Sequence, residues 1–162
     1  CKVSGEIQIG ETKSQIDGWG QRDHSWAERD WWDKGWTWFS GRFDDGSRFH
    51  AVSVEGHDSG IGYHSSPNGL IAEYRVESNP ELGQEGIPTS GHVKLGETII
   101  EFEPIGWAPV LLTDPDNDRI SRFPRGLVSI QANDGRKGHA WIEFNQPQSC
   151  LLYTSPSPRD RG

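Results

Sequence analysis

Turn-forming residues break this chain at short, regular intervals, and that spacing constrains the fold more than any other feature. Glycine occurs 20 times in 162 residues. With Asp and Asn it recurs roughly every 8 to 15 residues, the interval expected of strands joined by hairpins. Short runs of alternating polarity lie between the breaks, at residues 3–9, 12–17, 35–43, 47–55, 60–64, 70–77, 90–95, 98–103, 127–132 and 139–145. Gly10-Glu11 and Gly96-Glu97 read as tight turns, and Asp44-Asp45-Gly46 lies between two aromatic and β-branched runs, a strong hairpin signal. No segment keeps an apolar stripe at helical period. Residues 114–124 have room for one helical turn, and residues 78–89 read as the longest irregular stretch, a lid or a crossover. The pattern predicts an all-β, antiparallel barrel or sandwich of about ten short strands. A closed barrel of about eight strands has an interior able to hold one small ligand.

Chemistry concentrates in one place. Residues 18–39 hold six of the eight tryptophans: Trp19, Trp26, Trp31, Trp32, Trp36 and Trp38. Arg22, Arg29, His24 and the carboxylates Asp23, Glu28, Asp30 and Asp33 are interleaved with them. Bulky rings beside ionisable groups build a pocket with an apolar wall and a few oriented polar groups. If residues 23–26 are extended, His24 and Trp26 share one face and Asp23 and Ser25 the other. His24 against an indole wall inside a barrel is then an acid–base candidate oriented by Asp23. In the plainer alternative Arg22, Arg29 and Asp23 form structural salt bridges while the indoles pack the barrel floor.

The remaining patterns are weak. His50, His57 and His64 recur seven apart, which on strands and turns is no ligand geometry, and no metal or cofactor is expected. Residues 114–118 begin like a calcium loop, but Arg119 stands where glycine is needed and Arg125 where the bidentate glutamate belongs. A turn with Asp side chains holding backbone N–H groups fits better. No phosphate-cradling loop or G-x-S-x-G elbow is present. A net charge of −8 argues against nucleic acid and anionic membrane as partners, and no run of about 18 apolar residues offers a transmembrane segment. Tryptophan on a β-sandwich also suits carbohydrate stacking. A glycosidase, however, needs two carboxyl groups about 5–10 Å apart, and Glu28 and Asp30 qualify only by their closeness in sequence.

Residues 150–160, CLLYTSPSPRD, resemble one translated frame of a transposase adapter used in shotgun sequencing. Residues 149–162 are therefore set aside as a non-native, disordered tail, and residues 1–148 are read as one domain. Without the tail the only cysteine is Cys1, so no disulfide framework follows. The chain contains no Met and reads as a piece of a longer gene.

The string G-x-G-x-R-D-H-S-W-x-x-R-D-W-W, followed by an aromatic strand and a D-D-G hairpin, resembles the signature of the carotenoid 1,2-hydratase (hydroxyneurosporene synthase) and AttH-like superfamily. Asp23, His24 and Trp26 match its D-H-x-W-G core, Gly18 and Gly20 match the preceding glycines, and GHAWIEFN at 138–145 resembles a closing strand of the second domain. One position departs: Ala27 replaces the glycine after the motif tryptophan, which puts the local turn geometry in doubt. The resemblance implies a lipocalin-like (calycin) domain, the second of two, with a missing N-terminal lipocalin-like domain as partner. It also implies an apolar small molecule as ligand, of polyene, isoprenoid or lipid-like type. Catalysis would be by His24 and Asp23, ligand contact by Trp19, Trp26, Trp31, Trp36 and Trp38, and structural salt bridges by Arg22 and Arg29. The activities implied are hydration or isomerisation. A hydratase needs a carboxylic acid to protonate the alkene, and no carboxylate follows the D-D-G hairpin before Glu55. A non-catalytic carrier or inter-domain scaffold and a carbohydrate-binding sandwich remain as alternatives.

Overall fold

The computed structural model describes residues 1–26, 28, 30–57 and 60–148. Ala27, Arg29 and the 149–162 tail lie outside the described residues, so the expectations placed on them are not taken further. The fold is all-β and antiparallel. Thirteen strands follow in order among the described residues: β1 (Lys2–Ile9), β2 (Thr12–Trp19), β3 (Trp36–Phe43), β4 (Arg48–Val54), β5 (Ile61–Ser66), β6 (Gly69–Glu73), β7 (Val76–Leu82), β8 (Pro88–Leu95), β9 (Thr98–Trp107), β10 (Val110–Asp114), β11 (Arg119–Phe123), β12 (Arg125–Ala132) and β13 (Lys137–Gln148). One large sheet runs β6-β5-β4-β3-β13-β12-β9-β8-β7, with β10 and β11 joined to the far end of β13, while β1 and β2 form a separate two-stranded sheet.

The central strands of the large sheet turn one apolar face to a common core. Phe39 and Phe43 on β3, Phe49 and Ala51 on β4, Leu95 on β8, Phe102 on β9, Val128 and Ile130 on β12, and Ile142 and Phe144 on β13 all point inward and are buried. Their rings interlock: Phe39 lies 5.0 Å from Phe49 and 6.1 Å from Phe102, and Phe102 lies 6.1 Å from Phe144. Each such side chain contributes roughly 1.5–3 kcal/mol by leaving water. The concave side is thus filled by the protein's own phenylalanines.

The two ends of the curl meet through side chains rather than a ladder. Thr37 Oγ1 donates to Ser78 Oγ at 3.0 Å, and His64 Nε2 lies 3.4 Å from the Leu95 carbonyl oxygen. Gly62 permits this approach: a Cβ there would stand 2.6 Å from a Leu95 methyl group.

Two local expectations are corrected and a third is refined. Residues 70–77 are not one strand. Leu70 and Ile71 stay exposed on β6, Val76 is buried on β7, and the chain changes partner between them, from β5 to β8. Residues 78–89 are not one loop: Val76–Leu82 pairs with β8, with a register shift between Glu81 and Leu82, and only residues 83–87 connect the two strands. Pro80 is tolerated because β7 is a sheet edge, where a missing N–H breaks no second ladder. The turn expected at 114–124 is present as a 3₁₀ turn at Pro115–Asn117, but it is the tip of the β10–β11 hairpin.

Candidate functional site

Strand β3 divides the aromatic segment between two environments. Phe39 and Phe43 enter the core, and alternation sends Trp36, Trp38, Ser40 and Arg42 to the convex, outer face. Ser40 pairs with His50 of β4 and with Trp141 of β13, and His50 pairs with Tyr63 of β5. A row of Trp141, Ser40, His50 and Tyr63 therefore crosses the outside of the barrel. The His50 ring lies edge-on to Trp38 at 5.0 Å and tilted to Tyr63 at 5.7 Å.

The motif segment between β2 and β3 crosses this row. Ser40 Oγ donates to the side-chain carbonyl of Gln21, and Trp19 at the end of β2 receives the Arg42 guanidinium over its ring at 4.0 Å. Asp23 Oδ2 accepts from Ser25 Oγ at 3.3 Å. His24 and Trp26 lie on one side of the segment, ring centroids 4.9 Å apart, and both are exposed; Trp26 is 79 % accessible. They stand outside the barrel, not within it. Arg22 is exposed.

Trp31 and Trp36 form a different cluster. They lie 5.7 Å apart, and each packs against Phe123 of β11, at 5.8 Å and 5.4 Å. Trp32 stacks beneath Arg119, 5.3 Å away. Asn145 ties this turn to the barrel. It is buried on β13, and its Nδ2 donates to the carbonyls of Trp31 and Lys34 at 3.1 Å each, while Oδ1 accepts from Ser121 Oγ at 2.8 Å. The expected ligand-contact tryptophans thus separate into an anchoring pair, Trp31 and Trp36, and three that border the outer face, Trp19, Trp26 and Trp38.

His50 is a site candidate that the sequence did not single out. Its Nδ1 is enclosed without a hydrogen-bond partner among the described residues. Burial pushes the imidazole below its ordinary range, and the Asp23 carboxylate opposes that push. The signal was available in the alternation of β4, where Phe49 and Ala51 enter the core and His50 must face out beside Trp38.

Elsewhere two carboxylates are held by neighbouring side chains. Asp114 accepts from Arg119 and from Asn117, and those bonds hold its carboxyl below the usual range; Asp134 is held low in the same way by Arg136. In the turn at 114–118 the Asp114 carboxylate is taken up by the Asn117 and Arg119 side chains. A cleft of about 400 Å³ opens at one end of the barrel among Ser47, His64, Glu73, Arg75, Glu97 and Arg136, and none of the motif residues lines it.

The family described as Domain of unknown function (DUF7064) matches residues 1–148. The chain belongs to it. No curated protein sequence matches the chain. Among solved structures, the DUF7064 domain is similar to an AttH-like protein (NE1406) from Nitrosomonas europaea, with 19 % identity and a TM-score of 0.63 over 89 % of this chain and 49 % of that one. It is also similar to kievitone hydratase from Nectria haematococca, with 11 % identity and a TM-score of 0.54 over 88 % of this chain and 49 % of that one. At these identities the likeness concerns the fold, which is lipocalin-like. The chain spans about half the length of both. No helix among the described residues is long and apolar enough to cross a membrane.

Proposed function

We propose that this DUF7064 domain binds an apolar small molecule of polyene, isoprenoid or lipid-like type on its outer face, as one half of a two-domain, hydratase-like protein. The observation that carries the reading is the crossing of the motif segment over the Trp38–His50–Tyr63 row. It sets Trp19 and Gln21 against an outer face that carries Trp38, His50 and Tyr63, with His24, Trp26 and Asp23 further along the same segment, whereas phenylalanines line the concave side. Trp19, Trp26 and Trp38 would supply apolar contact. His24, oriented by Asp23, would move a proton if the reaction is a hydration or an isomerisation, and Arg22 would pair with carboxylates of the segment or of the second domain. The fold likeness to a hydratase supports this class, since adding water across a double bond calls for paired acid and base groups beside an apolar wall. The exposure of His24 and Trp26 supports a surface that a second domain would complete.

Native mass spectrometry of the 162-residue chain, after exposure to a mixed isoprenoid and polyene extract, tests the proposal. A retained apolar mass that disappears in Trp26→Ala is the expected result. His24→Ala should leave the fold intact, because its ring is exposed, and should weaken binding or abolish turnover. Uptake without chemical change, kept in His24→Asn, would make the domain a carrier or scaffold. Retention on polysaccharide with no apolar uptake would sink the proposal in favour of carbohydrate binding.

A further inference from the structure

We infer that His50, paired with Asp23, is the hydrogen-bonding and proton-accepting group of the outer-face site, and that it takes the hydroxyl end of an otherwise apolar ligand. This rests on the proposed outer-face site and names its polar centre. Three observations converge on it. Nδ1 of His50 is enclosed and lacks a protein partner among the described residues, so a ligand hydroxyl would meet an unused acceptor rather than displace a bond. Trp38 and Tyr63 flank the ring at 5.0 and 5.7 Å, which fixes its plane and gives the approach apolar sides. Gln21 bonds Ser40, the cross-strand partner of His50, and this contact lays the motif segment beside the imidazole's row.

The charged and titratable groups around His50 come from the motif segment and from β3, β4, β5 and β13, where Glu143 pairs with Trp38. Asp23 lies on the covering segment and Tyr63 on β5, while Arg48 of β4 and Arg42 of β3 occupy the adjoining row of the same face. Arg42 is engaged with the Trp19 ring. In the transfer itself, Nδ1 takes the proton of the hydroxyl or of a water, the electron pair of the broken O–H bond stays on oxygen, and Asp23 balances the imidazolium charge. Burial keeps the ring neutral beforehand, in the form that accepts.

Binding of farnesol and of the hydrocarbon farnesene to the 162-residue chain, followed by tryptophan fluorescence, provides the test. The wild type should prefer farnesol by about tenfold, the worth of one hydrogen bond to a buried acceptor. His50→Leu should lose the preference while still taking up farnesene. Equal uptake of both by the wild type, or a preference surviving in His50→Leu, overturns the assignment and leaves the apolar site standing. Uptake of neither by folded protein overturns both. NMR titration of the histidine rings tests the pairing: Asp23→Asn should move His50 further down and leave His92 on β8 in place. An unmoved His50 removes Asp23 from the assignment.

Discussion

At the scale of single residues, the acid response of the domain separates into two steps with different owners. His50 has its folded-state value below the ordinary 6.5 because burial disfavours the imidazolium. Above pH 6.5 the ring is neutral in folded and unfolded chains alike and contributes nothing. As pH falls through 6.5 the unfolded chain takes up a proton that the folded one refuses, so stability drops until the folded ring protonates as well. Asp45, Asp114 and Asp134 behave oppositely: their lowered values give stability that is present above 3.8 and lost as pH falls below it. His50→Gln should therefore flatten the melting-temperature profile just below pH 6.5 and leave the fall below pH 3.8 unchanged. A profile unaltered near pH 6.5 would mean that the ring is solvated in the native state. The motif drew Asp23 and His24 out of the sequence as candidates, because acid, imidazole and indole stand together there. His50 was not legible, because seven-residue histidine spacing drew attention to metal geometry and away from the face that each histidine occupies.

At the scale of elements, the motif segment is held by two ends of unequal strength. Its first part is tied by Gln21 to Ser40 and by Trp19 to Arg42, both near solvent. Its second part is tied by Asn145, whose three hydrogen bonds are buried on β13. Asn145→Ala removes a donor from two carbonyls and an acceptor from Ser121. A loss of about 2–4 kcal/mol in denaturant unfolding is expected, since each unsatisfied buried group costs about 1–3 kcal/mol. Proteolysis should then open the chain first between residues 20 and 34; cleavage elsewhere would show that the anchor lies in the Trp31–Trp36–Phe123 cluster instead. Strands on both sides of clear turns were legible, including β1 to β4, β8, β9, β12 and β13, because alternation and Gly or Asp turns agree there. The β7 strand was hidden by Pro80 and by its many polar residues, both permitted on an edge. The β10–β11 hairpin was hidden because its strands span five residues each, too few to display a period.

At the scale of the whole molecule, the large sheet satisfies its own apolar face and the β1–β2 hairpin does not. Register puts Val3, Ile7 and Ile9 with Ile16 on one side of the ribbon, and Lys2, Glu6, Lys13 and Asp17 on the other, where Lys2–Asp17 and Lys13–Glu6 pair at 2.6 and 3.0 Å. Trp19, on the polar side, meets Arg42 of the barrel, so the apolar side turns away from the barrel. Val3, Ile7 and Ile9 are exposed there, Ile9 to 76 %. Alternation alone made this pair of strands legible, but it could not tell that the inward-looking face has no interior to meet. A ribbon with a dry side in water and two unpaired edges is an association site. Light scattering of the 162-residue chain should give a mass that rises with concentration, and Ile7→Lys with Ile9→Thr should hold it at the monomer. The melting temperature should not change, because these side chains take no part in the core cluster. A fall in melting temperature in that variant would instead mean that the hairpin folds back and covers its apolar side on the barrel in solution. The two outcomes separate a face built for another surface from one that the domain seals by itself.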